Sequence, residues 1–183
     1  MSGPRRVGIF LLPLGVFAGL VVLFVAGVNN SETRSELPSP LIGKSMPAFE
    51  LPSLLERDVT ISSEAFRGEY LLVNVWASWC FACRQEHDFL LSLARRGEIR
   101  ILGLNWRDTE PAAKNWLNEL GDPYDVIVFD GEGRTGIDFG VYGAPESFLV
   151  DPTGQIVAKH IGPLDAALWQ QNMQPFLTQR DGS

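Results

Sequence analysis

Two cysteines stand three positions apart in the run Trp79-Cys80-Phe81-Ala82-Cys83, and they are the only two in the chain. Thiols at that spacing can form a disulfide, exchange it with another protein, or bind a soft metal. A stapled secreted scaffold would show more cysteines at wider separation. A structural zinc site needs four ligands, which here would have to include His87 and His160, the only histidines. As an inert crosslink the pair closes a loop too short to remove much chain entropy. Dithiol exchange remains the reading with a physical motive. It needs one thiol that is ionised and reachable and a second close enough to resolve the mixed disulfide.

The flanking pattern supplies those conditions. Tyr70 to Trp76 is a short apolar run of the buried-strand type. From Phe81 to about Arg95 the apolar positions Cys83, His87, Leu90, Leu91 and Ala94 recur at helical spacing, and Gly97 ends the pattern. Cys80 therefore falls at a helix N-terminus, where unpaired N–H groups and the helix dipole favour a thiolate and draw the thiol below its free value of ~8.5. Cys83 lies one turn further on, partly covered. We assign Cys80 as nucleophile and Cys83 as resolving thiol. Trp79 and Trp76 are candidates to wall the site, Trp76 equally a core aromatic. Gly143-Ala144-Pro145-Glu146 leads into another strand, a natural place for a cis X–Pro bond, although trans is by far the commoner isomer. Glu86 and Glu146 are the acidic residues near this constellation, each equally readable as a solvated surface charge.

The rest of the chain alternates strand and helix signals. Ile99–Leu104 and Val126–Phe129 read as strands. A helix opens near Thr109-Glu110-Pro111 and ends at Gly121-Asp122-Pro123. Glu146–Val150 and Gln155–Ile161 read as a hairpin closed by Asp151-Pro-Thr-Gly154, and Pro163–Leu177 as a closing helix. The order β-α-β-α-β-β-α behind a leading extension predicts an α/β domain of thioredoxin-like fold, with a central mixed sheet flanked by helices.

Ile9 to Val28 is an uncharged apolar run preceded by Arg5 and Arg6. As a helix it is long enough for the ~30 Å hydrocarbon core, and it exceeds a signal-peptide h-region of ~7–15 residues. We read it as an uncleaved anchor with the positive flank in the cytoplasm. The expected organisation is a cytoplasmic N-terminus at 1–8, a transmembrane signal anchor at 9–28, a Ser/Pro-rich linker at 29–47 and the thioredoxin-like domain at 48–180. Net charge is −7, from 15 basic and 22 acidic side chains among 183 residues, so nucleic acid is excluded as a partner and basic polypeptides are favoured.

The runs Leu72-Val-Asn-Val-Trp-Ala-Ser-Trp-Cys-Phe-Ala-Cys-Arg-Gln-Glu-His87 and Gly140-Val-Tyr-Gly-Ala-Pro-Glu-Ser-Phe-Leu-Val-Asp151 resemble the CcmG/DsbE family of cytochrome c maturation, over about residues 5 to 180. The resemblance implies a thiol:disulfide oxidoreductase tethered to the inner membrane by a single pass, its C-terminal domain in the periplasm. A membrane thiol carrier would supply electrons. Apocytochrome c, or a cytochrome c maturation oxidoreductase, would be the substrate. No cofactor is implied beyond the redox-active Cys80–Cys83 pair, and no metal. The resemblance also implies a cis-proline at Pro145, substrate contacts at Trp79, Ala144 and Pro145, and an acidic groove at Glu86 and Glu146. Beside the cysteines those carboxylates would oppose thiolate formation and favour a basic partner. Asn74 stands where thioredoxin has a buried Asp, as it does in this family, and an amide accepts no proton, so a nearby carboxylate or water must serve. Phe81 stands where the family usually has Pro. Two other readings share these residues: a broader extracytoplasmic reductant, and a copper metallochaperone using both thiolates and a histidine.

Overall fold

The computed structural model describes residues 13, 15–25 and 40–178. Contacts divide the chain into two units, 1–38 and 39–183. In the first, residues 15–25 form a helix (α1) with every side chain exposed. Among the described residues no helix is long and apolar enough to cross a membrane. The expected anchor at 9–28 falls partly outside the described residues, and so does the linker. The cytoplasmic segment at 1–8 and the domain's last two residues, 179–180, fall wholly outside them.

The second unit is a five-stranded mixed sheet in the order β5-β4-β3-β6-β7, with β3 Leu71–Trp76, β4 Arg100–Trp106, β5 Val126–Asp130, β6 Glu146–Val150 and β7 Ile156–Ile161. β3 pairs parallel with β4, and β4 with β5; β6 runs antiparallel to both β3 and β7. The parallel pairs require crossovers, which the helices α2 Phe81–Arg96 and α3 Glu110–Leu120 supply. Gly97 ends α2 in the left-handed region at φ 62, where a side chain would be strained.

β3 is the centre of the sheet and is buried at every position. Its alternation sorts the core. Leu71, Val73 and Val75 face one side, packing with Phe49, Phe66, Phe139 and Phe148. Leu72 and Trp76 face the other. Leu72 meets Leu90 and Leu93 of α2, together with Trp169. Trp76 shares a cluster with Leu54, Trp116 and both cysteines. Asn74, fully buried, sits between Leu72 and Trp76 on the strand.

Four features differ from the sequence reading. A two-stranded hairpin, β1 Glu50–Pro52 and β2 Thr60–Ser62, precedes the main sheet, and it docks on β5 through the Ser53–Val128 bridge and the Leu54 N–H donating to Ile127 O at 3.0 Å. A short helix, α4 Arg134–Asp138, follows β5. The closing helix is two: α5 Ala166–Asn172, capped by Asp165 Oδ1 accepting from the Leu168 N–H, and α6 Gln174–Thr178. Pro175 explains the break, because its ring excludes an N–H and crowds the carbonyl one turn back. Residues 40–47, expected as linker, belong to the domain. The Gly43 N–H donates to Ile156 O at 2.8 Å, the Ile156 N–H to Lys44 O at 2.9 Å, and the Met46 N–H to Gly154 O at 2.8 Å.

Candidate functional site: a disulfide at a strand-to-helix junction

Chain leaving β3 turns over Ala77–Trp79 and enters α2 at Cys80. The Cys80 N–H donates to Ala77 O at 3.1 Å. Cys80 is the N-cap of α2, in extended conformation, and its Sγ accepts the Cys83 N–H at 3.0 Å. Sulfur here takes the place an oxygen usually holds at a helix start. The helix N-terminus and this N–H thus both face the Cys80 sulfur. The two cysteines are joined as a disulfide with a Cα–Cα distance of 5.3 Å. Both residues are 3% exposed. The expected contrast between a reachable and a covered thiol is therefore absent from the oxidised state, where one bond ties both sulfurs into the same apolar cluster.

Exposed aromatics surround the disulfide's helix turn. Trp79 is 55% exposed, with its Nε1–H donating to Arg107 O at 2.9 Å, and Phe81 is 77% exposed. Trp76, by contrast, is 1% exposed and packs as core, stacked on Tyr124 at 5.4 Å. Ala144 packs against the cysteine cluster, and the Ala144–Pro145 peptide is cis.

Glu86 and Glu146 are both about 1% exposed, so neither is a solvated charge and neither lines an open acidic groove. Glu86 is on α2, three residues after Cys83 and thus on the same helix face. Its Oε1 accepts from Asn74 Nδ2 at 2.8 Å and its Oε2 from the Leu164 N–H at 2.8 Å. Burial pushes its carboxyl up to about 7, against the pull of the Leu164 N–H and the Asn74 amide. Glu146 meets Lys159 Nζ at 2.8 Å and accepts from the Tyr142 N–H at 2.8 Å. Lys159 also donates to Gly140 O at 3.1 Å. This buried ion pair ties the 140–145 loop, and with it Pro145, to β7. With its oxygens turned to Lys159 and Tyr142, Glu146 does not offer a basic partner a free carboxylate.

Sequence reasoning missed two residues that build the site. Asp108 accepts from Ser78 Oγ at 2.7 Å and from the Thr109 N–H at 2.8 Å, and its other oxygen takes the Ser78 N–H. It thereby pins the turn before Cys80 to the start of α3. A carboxylate just before a helix start was the available signal. Tyr124 donates to Asn74 Oδ1 at 2.9 Å from a loop whose sequence carried no signal. Each histidine Nε2 faces a carbonyl: His87 that of Gly121 at 3.1 Å, His160 that of Pro163 at 3.2 Å. Among the described residues no group of three or more His, Cys, Asp or Glu side chains is placed to hold a metal ion.

A central mixed sheet carrying a CxxC disulfide at the mouth of its first crossover helix, opposite a cis-proline loop, defines a thioredoxin-like thiol:disulfide oxidoreductase. The redoxin family profile matches residues 41–172. The thiol:disulfide interchange protein DsbE of Allochromatium vinosum is 44% identical over 172 residues, covering 94% of each chain. That of Escherichia coli K12 is 39% identical, covering 92% of each. The thioredoxin domain of a thiol-disulfide oxidoreductase from Bacteroides vulgatus superposes with a TM-score of 0.59 at 28% identity, over 68% of this chain and 91% of that one. The chain belongs to the DsbE family of thiol:disulfide interchange proteins.

Proposed function

We propose that this protein is an extracytoplasmic, membrane-tethered reductant of cytochrome c maturation, acting on the paired cysteines of apocytochrome c or on a partner oxidoreductase. The observation that carries this reading is the similarity to DsbE proteins, which extends over 94% of the chain and so beyond the redox domain. In this reading residues 9–28 anchor the chain in the inner membrane, 1–8 remain cytoplasmic, and the segment from 29 spaces the periplasmic domain from the bilayer. A membrane thiol carrier returns the disulfide to the dithiol. An oxidising compartment makes such a supply necessary.

The chemistry follows from the junction. Cys80 thiolate attacks one sulfur of the substrate disulfide, and the other substrate sulfur leaves as a thiolate. Cys83 then loses its proton to Glu86 and attacks Cys80 Sγ, releasing the second substrate sulfur. Glu86 suits that role because it lies one turn from Cys83 and titrates at about 7, so that it can accept and return a proton near neutrality. Trp79 and the Ala144–Pro145 loop flank the disulfide as docking surface, and Glu146 holds that loop in place. A strain carrying Cys80→Ser with Cys83→Ser should lose covalently haem-bound cytochrome c on haem-stained gels of membranes, and recover it with added small thiols. Normal cytochrome levels in that strain would end the maturation reading and leave a broader reductant.

A further inference from the structure

Asn74 is fully buried, and its side chain amide has three polar neighbours. The Tyr124 hydroxyl donates to its Oδ1 at 2.9 Å. Its Nδ2 donates to Glu86 Oε1 at 2.8 Å and to Ser147 Oγ at 3.2 Å. Ser147 is reached because it stands in register with Asn74 on the neighbouring strand. An amide rotated by half a turn would set its carbonyl against Glu86, an arrangement tolerable only when that carboxyl is protonated. The direction of the Asn74 amide and the charge of Glu86 are thus coupled, and Tyr124 is the group that holds the direction. Tyr124 is itself held by packing. Its ring stacks on Trp76 and lies against the bare backbone of Gly103, where an added Cβ would come within 2.9 Å of the ring.

We propose that Tyr124 is a positioning residue for disulfide exchange: by donating to Asn74 Oδ1 it keeps Nδ2 turned to Glu86 while that carboxylate takes the Cys83 proton. The proposal rests on the proton-acceptor role given to Glu86 above. In the step concerned, the Cys83 S–H proton passes to Glu86. The Cys83–Cys80 S–S bond forms as the bond from Cys80 to the substrate sulfur breaks. That electron pair leaves on the substrate sulfur, which is reduced and takes a proton from solvent, while the dithiol is oxidised to the disulfide.

Other charges on the surrounding elements are accounted for. On α2, Cys83 and His87 lie within one turn of Glu86, and the His87 Nε2 is turned to Gly121 O. In the loop before β5, the Asp122 carboxylate and that of Glu86 both raise the Tyr124 phenol, already raised by burial, so it stays a donor throughout the neutral range. On β6 and β7, Glu146 and Lys159 neutralise each other. Leu164 contributes only its backbone N–H.

The test follows the full chain in detergent with oxidised glutathione, whose two thiols are released in separate steps. The second step reports resolution by Cys83. Alongside it, carboxyl 13C shifts report the titration of Glu86 directly. Tyr124→Phe keeps the ring and should move the Glu86 midpoint upward by roughly half to one pH unit, with resolution about three- to tenfold slower below that midpoint. Asn74→Ala should produce a shift of the same sign, and adding Tyr124→Phe to it should add nothing. Glu86→Gln should abolish the inflection of the second step. An inflection that survives Glu86→Gln would remove the proton-acceptor role. An inflection lost in Glu86→Gln, with an unmoved midpoint in Tyr124→Phe, would overturn the role of Tyr124 alone. Additive shifts in the double variant would also overturn it.

Discussion

Glu86 is 1% exposed, and burial raises its carboxyl from 4.5 to about 7. That displacement is a statement about stability. A carboxyl whose folded value lies above its unfolded value holds its proton more tightly when folded. Its contribution is therefore fully present below about 4.5, is lost as pH rises toward 7, and is gone above that. Glu86→Gln cannot titrate, so its stability relative to the parent should improve by roughly 2–3 kcal/mol between pH 4.5 and pH 8. Any constant penalty comes from the second amide donor, which would face the Leu164 N–H or the Asn74 amide. His87 is lowered by burial, against its bond to Gly121, and so weakens the fold on the acid side. It does so in both proteins and cancels in the difference. Urea unfolding of the oxidised forms across that range checks this, and parallel stability curves would show that Glu86 does not titrate between these values.

The elements divide into those that declare themselves and those that depend on partners. β3 and α2 were legible because an apolar run of strand length and a helical repeat adjoin at the cysteines, and β6 was legible through the turn after it, where the Gly154 N–H closes on Asp151 O at 2.8 Å. The β1–β2 hairpin was not, since its strands are three residues each and are held by docking on β5 rather than by their own pattern. Covalent spacing made the Cys80–Cys83 pair legible, and the structure joins the two as a disulfide. Depth was not legible: Glu86 is buried against Asn74, which Tyr124 also holds, and Glu146 is buried against Lys159, and no period in the sequence distinguishes a buried carboxylate from a surface one. Gly103 belongs to the same hidden layer. It stands in register with Asn74 on β4, and an added Cβ there would sit 2.9 Å from both Trp76 Nε1 and Tyr124 Cγ. β4 is fixed between two strands and cannot yield, so the rings must move. Gly103→Ala should cost about 1–3 kcal/mol and alter the near-ultraviolet signal of the stacked aromatics. An unchanged melting curve and spectrum would mean that the rings have room to spare.

On the scale of the whole molecule, the decisive boundary is the one between the N-terminal segment and the domain that carries the disulfide. Composition put that boundary at 47, because Ser, Pro and Asn dominate the preceding residues. Backbone pairing moves it. Residues 43–46 are joined to the start of β7 and to the turn before it by three backbone bonds, with Ser45 bridging Gln155. Leu41 and Met46 pack against the core that contains Phe49 and Phe66. Under the proposed tethered arrangement, the spacer would be shorter than composition suggests, and the domain would meet a donor in the membrane at a higher effective concentration. The same contacts make a stability prediction. A chain beginning at residue 48 should melt several degrees below one beginning at residue 40, because it loses these bonds and two apolar side chains, together roughly 2–3 kcal/mol. Both should still reduce insulin disulfides at low temperature, since the cysteines, Glu86 and the Pro145 loop lie beyond the cut. Thermal unfolding followed by circular dichroism separates the cases. Coincident midpoints would return residues 40–47 to the spacer, whereas a lower midpoint with retained disulfide reduction makes them the first structural segment of the redox domain.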